Sequence, residues 1–207
     1  MVDILGISGS PRSGGNTSAL VRKALDIAEE QGARIKFIEL SGKTINDCDH
    51  LAKCYEKGEC IQDDDLNMIA NAMRAADGII FGSPAYTASV PGPMKSMFDR
   101  VGRFVNLRGK VGAPLVVGRR SGMTLVVLEL IFFMYVKEMI LAGNPHWPVG
   151  FSLNPGDVLG DTEAIMSAEE TGKRMVEIAS LLRDHPVSWA KPLEFGEKRA
   201  AFGDDWR

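Results

Sequence analysis

All three thiols of this 207-residue chain, Cys48, Cys54 and Cys60, fall within thirteen consecutive positions. Thiolates crowded at such spacing bind soft metal ions or iron–sulfur clusters, but these centres usually take four protein donors. The segment INDCDHLAKCYEKGECIQDDD, residues 45–65, is therefore a metal or cluster site, a site that lacks one ligand, or an ordinary loop. Three cysteines cannot close a disulfide framework, and MVDILGIS has no charged segment leading into an apolar stretch and a cleavage site, so a reducing cytoplasm is expected.

Three other segments carry residue types suited to ligand binding. GISGSPRSGGNTSAL, residues 6–20, is rich in glycine and hydroxyl side chains and runs into a helical pattern. Inward-turned N–H groups and the positive end of the helix would together cradle an anion, phosphate above all. A Walker loop is excluded because Gly15 and Asn16 stand where Lys and Ser/Thr are required, and no G-x-G-x-x-G fingerprint occurs there. In FGSPAYTASVPGPMKSMFDRVG, residues 81–102, Pro84 stiffens a loop carrying Tyr86 and Thr87, a surface against which a flat heterocycle fits. Lys95 and Asp99 follow at helical spacing, which favours a structural salt bridge over catalysis. In VVGRRSGMT, residues 116–124, Arg119 and Arg120 lie between Gly118 and Gly122, placing two guanidinium groups on a permissive turn.

The elements that must position these segments are legible in the alternation of the chain. Nearly continuous apolar runs at 2–8, 34–40, 78–83, 112–118 and 146–152 read as strands, the last less clearly patterned than the others. Between and after them, 17–31, 66–76, 93–104, 124–141 and 163–183 have helical period. Apolar strands joined by helical crossovers imply a doubly wound α/β domain with a five-stranded parallel sheet covered on both faces. Such sheets bind ligands at the carboxyl ends of their strands, where the three ligand-suited segments fall. Composition, 45% hydrophobic and 25% charged, fits one well-buried domain over residues 1–183; residues 184–207, with Trp189, Phe195 and Trp206, read as an extended tail.

A net charge of −3 supplies no broad basic surface for nucleic acid or anionic lipid. The longest apolar run, TLVVLELIFFMYV at 124–136, contains Glu129, is followed by Lys137 and Glu138, and is shorter than the ~20 residues a membrane span requires. It is expected to be a buried or oligomer-facing helix. His50, His146 and His185 are dispersed, and nothing in the sequence gathers them into a site.

The ordered pair SGSPRxxGNTxxL and GSPxYxxxxxxxMKxxxDR, within about residues 1–183, resembles the flavodoxin-like NAD(P)H-dependent FMN reductase superfamily, in particular its iron–sulfur flavoprotein branch. The resemblance implies a sheet of order 2-1-3-4-5. It also implies FMN as cofactor, its phosphate held by Ser8, Ser10, Arg12, Asn16, Thr17 and Ser18. The ring would lie on Ser83, Pro84, Ala85, Tyr86 and Thr87, flanked by Gly118, Arg119, Arg120 and Gly122. The branch pattern C-x2-C-x2-C-x5-C followed by paired aspartates aligns Cys48, Cys54 and Cys60 with its first, third and fourth cysteines. Leu51 stands at the second. A cluster with a fourth ligand such as His50, a zinc ion held by the three cysteines and a histidine, and a metal-free loop shaping the flavin pocket remain open. Leucine adds bulk without a donor atom and favours the metal-free loop.

The implied activity is that of an FMN-dependent oxidoreductase taking electrons from NAD(P)H or a redox protein, with no side chain required as acid or base. A homodimer or homotetramer is expected, with the 124–136 helix as interface. The alternatives are an FMN electron carrier without a small-molecule substrate, and a redox or metal sensor built on the cysteines.

Overall fold

A computed structural model describes residues 1–190. Its strands are β1 (Asp3–Ser8), β2 (Arg34–Glu39), β3 (Gly78–Pro84), β4 (Val111–Gly118), β5 (Ile140–Leu141) and β6 (Val149–Phe151). The helices are α1 (Asn16–Glu30), α2 (Cys54–Lys57), α3 (Leu66–Ala75), α4 (Gly92–Phe104), α5 (Met123–Val136) and α6 (Thr162–Asp184). All strand pairs are parallel, and the order β2-β1-β3-β4-β5 is the one the sequence resemblance implies.

The fifth position differs from the expected single strand. β5 pairs with Val111 and Gly112 at one end of β4, whereas β6 pairs with Val116 to Gly118 at the other. Between them the chain leaves the sheet through GNPHWP, whose two prolines cannot donate ladder hydrogen bonds. The helix expected to reach residue 141 ends at Val136 for a related reason. Glu138 takes a left-handed φ of 54°, turning the chain so that Ile140 N–H can bond Lys110 O and open β5.

Helices α1 and α6 cover one face of the sheet and α3, α4 and α5 the other, giving two apolar cores. Gly172 of α6 lies where a Cβ would come within 2.3 Å of the Ala24 carbonyl oxygen, so a bare α-carbon is what lets α6 close on α1. On the opposite face Phe81, Phe98 and Phe133 join β3, α4 and α5; the Phe98 and Phe133 rings stack at 4.0 Å. Each such aromatic pair adds about 0.5–1.5 kcal/mol beyond area burial.

No helix among the described residues is long and apolar enough to cross a membrane. Apolar on all sides, α5 buries Val126, Leu130 and Phe133 and leaves Leu125, Leu128, Phe132 and Tyr135 exposed. At the carboxyl end of the chain, α6 runs to Asp184 and Ser188–Ala190 form a short 3-10 turn. Exposed Trp189 is the last aromatic described; Phe195 and Trp206 of the expected tail lie outside the described residues.

Candidate functional site

The loops at the carboxyl edge of the sheet are tied to one another by continuing the strand ladder one residue past the strands. Gly9 N–H, just after β1, bonds Gly82 O of β3 at 2.8 Å. Ala85 N–H, just after β3, bonds Val117 O of β4 at 2.8 Å, and Ser152 N–H, after β6, bonds Gly118 O at 3.0 Å. Each loop therefore starts at a fixed height beside its neighbour, and four loops form one rim.

The β1–α1 loop forms the cradle at this rim. Helix α1 begins at Asn16 with Gly15 as N-cap, no side-chain cap and no acidic residue in its first turn, so its first N–H groups point free of local side-chain competition. Ser8, Ser10, Thr17 and Ser18 are buried around it; Ser18 Oγ bonds Ser8 Oγ at 2.9 Å, and Ser10 Oγ accepts from Arg12 N–H at 3.1 Å. Arg12 is exposed at the loop crest. Asn16 is engaged elsewhere than the sequence resemblance implies: its Nδ2 donates to Asn154 O at 2.8 Å and its Oδ1 accepts from Gly156 N–H at 2.8 Å and Val158 N–H at 3.3 Å. Its side chain fastens the loop after β6 to α1, leaving its backbone N–H at the helix end. Asp157 braces that loop by accepting from Leu153 N–H and Asn154 N–H, bonds that hold its carboxyl below the usual range.

A carboxylate also reaches the cradle. Glu39, at the end of β2, accepts from Ser13 Oγ and Gly14 N–H, both at 2.9 Å. Burial pushes this carboxyl up, but hydrogen bonds from Ser18, Gly14 and Ser13, with Arg22 nearby, hold it below the usual range. The loop is thereby pre-ordered around an anion supplied by the protein itself.

The β3–α4 loop forms a tight hairpin. Tyr86 and Ser89 exchange both backbone hydrogen bonds, at 2.9 and 3.0 Å, and Thr87 and Ala88 between them take φ of 50° and 60°. Two successive positive φ values are the geometry of a type I′ turn, which usually takes Asn and Gly. Left-handed residues with a Cβ cost about 1–2 kcal/mol each, strain that persists only where surroundings enforce it. The turn puts the Tyr86 ring outward, 45% exposed, while Ser83 stays buried. The β4–α5 loop packs against it. Gly122 has φ +84°, and a Cβ there would meet Ala88 Cβ at 2.9 Å, so a glycine is required both by conformation and by contact. Arg119 and Arg120 lie exposed on this loop. Lys95 and Asp99 pair at 2.6 Å on the surface of α4, the structural bridge their spacing implies.

The cysteine loop reaches the same region from β2 and packs on α4. Cys48, Cys54 and Cys60 line one small pocket of about 20 Å³ with Leu51, Arg100 and Arg103. Arg100, 1% exposed, makes a two-pronged ion pair with the fully buried Asp64 carboxylate and donates to Asn46 O at 2.9 Å and Cys60 Sγ at 3.0 Å. Burial pushes the Asp64 carboxyl up, yet the bonds from Arg100 and from Asn46 and Leu66 N–H hold it below its ordinary value. Burial raises the Cys54 thiol, with Arg103 opposing. Among the described residues no group of three or more His, Cys, Asp or Glu side chains is placed to hold a metal ion. Three sulfurs, a leucine without a donor and a guanidinium already bonded to Cys60 do not fit the four-thiolate cage of a cubane cluster.

Sequence reading located the three rim segments and missed the side chains that brace them. Glu39 sits on the edge strand, 25 residues from the N–H it accepts. The fourth rim loop carries the turn signal NPGD at 154–157, but its tie to Asn16 spans 138 residues. The Arg100–Asp64 pair is likewise non-local, on a helix where Lys95 and Asp99 offered the nearer pairing.

Sheet order and joined rim loops define a flavodoxin-like α/β protein. The chain belongs to the NADPH-dependent FMN reductase family, which it matches over residues 2–154. That membership makes it, by class, an FMN-dependent oxidoreductase or electron carrier. Among its relatives are iron–sulfur flavoproteins of Methanocaldococcus jannaschii, 36% identical over 87% of this chain and 98% of the relative, and of Methanosarcina thermophila, 34% identical over 87% and 96%. Among solved structures it is similar to RosB with bound 8-demethyl-8-formylriboflavin-5′-phosphate, with a TM-score of 0.74 at 16% identity over 99% of this chain and 89% of that one.

Because Asp64 titrates below its unfolded value, about 3.9, its contribution is complete above that pH and is lost as pH falls through the lower folded value. Asp64→Asn leaves Arg100 buried without its counter-charge, and urea unfolding at pH 7 is expected to show a loss of about 3–5 kcal/mol. The difference between variant and parent should shrink as pH falls below about 4, where the carboxylate of the unfolded parent protonates while the folded one is still ionised.

Proposed function

We propose that this chain is an FMN-dependent oxidoreductase that takes electrons from NAD(P)H or a redox protein. The observation that carries the reading is the uncapped start of α1 set on the same rim as the exposed Tyr86 hairpin, with Gly9 bonded to Gly82 between them. The N–H groups of residues 16–18, the Ser10, Thr17 and Ser18 hydroxyls and the Arg12 guanidinium suit a phosphate monoester. Ser8 supports them through its bond to Ser18. Backbone of Ser83 to Thr87 offers amide and carbonyl groups to the polar edge of a ring, with Tyr86 alongside and the Gly118–Gly122 loop as flank. When bound, FMN supplies hydride acceptance and electron transfer at its ring. The chain holds and orients it, screens it from water with the hairpin, and presents Arg119 and Arg120 to an anionic dinucleotide.

Two copies of the chain are proposed to pack through α5. Leu125, Leu128, Phe132 and Tyr135 recur at intervals of three, four and three, forming a single apolar stripe on a helix whose other side is core. A parallel-sheet crossover helix normally hides only one side, and this second stripe is suited to self-packing.

The cysteine loop is proposed to act without a cluster, as a wall held to α4 by Arg100. Leu51 in place of a thiol and the Arg100 bond to Cys60 support this reading.

Gentle purification is expected to give yellow protein with one FMN per chain that oxidises NADPH or NADH in steady state. Reduction by a protein donor alone would replace the reductase reading with that of a carrier. For the cysteine loop, Leu51→Cys is expected to raise iron and acid-labile sulfide after anaerobic reconstitution well above the parent; equal loading would refute the alignment of Leu51 with a ligand position. For assembly, Phe132→Glu should reduce the mass seen by light scattering to that of one chain.

A further inference from the structure

We propose that Glu129 is a positioning residue of the flavin site, acting from α5 through the Tyr86–Ser89 hairpin. Helix α5, MTLVVLELIFFMYV, is apolar on every side and carries one charged side chain, Glu129. Among the described residues that carboxylate forms no ion pair. Its Oε2 accepts from Ser89 Oγ at 3.0 Å and from Val90 N–H at 3.1 Å, so one oxygen grips the last residue of the hairpin and the first residue beyond it.

The grip is placed where the hairpin needs it. Thr87 and Ala88 both hold left-handed conformations that side chains disfavour, and the exchanged backbone bonds between Tyr86 and Ser89 close the turn. Val90 is 6% exposed, and without Glu129 its part-buried N–H would lose this acceptor. Gly122, the N-cap of α5, lies so close to the turn that a Cβ on it would come within 2.9 Å of Ala88 Cβ. The hairpin thus meets α5 at two points, its N-cap glycine and a carboxylate in its second turn, both fixed to the same helix. The strained turn presents the backbone of Pro84 to Thr87 in one conformation, and Glu129 is what keeps that conformation from relaxing.

This inference rests on the reading of Ser83 to Thr87 as the ring-binding backbone. Two variants separate the roles of Glu129. Glu129→Gln keeps an oxygen that can accept both hydrogen bonds, whereas Glu129→Ala removes both. FMN affinity is measured by fluorescence titration of the apoprotein, the ring environment by the visible absorption and circular dichroism bands of bound FMN, and folding by far-ultraviolet circular dichroism. Glu129→Ala is expected to weaken FMN binding roughly tenfold and to shift the visible bands, the scale set by losing the acceptor of a part-buried N–H. Glu129→Gln should stay within about threefold of the parent with unshifted bands, since the amide oxygen accepts the same donors. Ser89→Ala, which deletes one of the two bonds and leaves α5 intact, should move affinity and bands in the same direction by less, and carries the test if Glu129→Ala does not fold. Parent-like affinity and bands in Glu129→Ala, or in Ser89→Ala where the first is unfolded, would overturn the proposal alone. A parent protein that does not bind FMN would overturn the flavin reading and this proposal together.

Discussion

Arg100 is the side chain on which the arrangement of the loops most depends. A guanidinium that is 1% exposed is tolerable only with a counter-charge and hydrogen-bond acceptors in place, and every one of them comes from the segment between β2 and α3: Asn46 O, Cys60 Sγ and both oxygens of Asp64. Since α4 supplies Arg100 and also begins where the Tyr86 hairpin ends, satisfying one buried charge fixes the cysteine loop relative to the hairpin. Ser96, one turn earlier on α4, adds a bond to Asp47 at 2.6 Å. The segment 44–65 has little helix and no strand, so without this pairing its backbone would have few reasons to hold one path.

The rim follows from the other constraint, the parallel sheet. Parallel strands end at the same edge, and each chain leaves that edge with its next N–H still paired to the neighbouring strand, as Gly9, Ala85 and Ser152 do. Loops that begin in register leave their tips little freedom, and the remaining slack is taken up by side chains from far along the chain. Glu39 orders Ser13 and Gly14, and Asn16 and Asp157 together order 153–158. An anion entering the cradle would meet N–H groups already aimed, at the cost of sitting near the Glu39 carboxylate. Arg12 on this loop and Arg22 on the helix are available to offset that charge, Lys23 being paired with Glu169.

The fold was legible because its dominant signal is local. Strands buried on both faces, such as GIIFGSP and VGAPLVVG, are apolar without alternation, and α1 and α4 carry clear helical periods. At the fifth position the run read at 146–152 holds β6, but β5 was missed, because two residues are too few to produce any pattern. Legibility failed at the end of α5 as well, because Lys137 and Glu138 are good helix formers and only the docking of Ile140 beside β4 makes the left-handed turn worthwhile. The rim segments were legible as glycine- and proline-punctuated loops after strands. Their bracing residues were not, since Glu39, Glu129 and Asn154 act across 25 to 138 residues and carry no local mark of their role.

Leu51 puts a side chain without a donor atom at one position of a cysteine motif. The spacing of Cys48, Cys54 and Cys60 and the aspartates at 63–65 match the branch pattern C-x2-C-x2-C-x5-C followed by paired aspartates, save at Leu51. Yet several of these residues have work in this chain that needs no metal. Asp64 neutralises Arg100, Asp65 accepts from Thr44 N–H at 2.7 Å, and Gly58 ends α2 and offers its carbonyl to Arg74. Asn67 holds Cys60 by both its N–H and its carbonyl. A loop braced by its own charges and amides can lose one thiolate without losing its path, and the path is what α4 and the hairpin above it require.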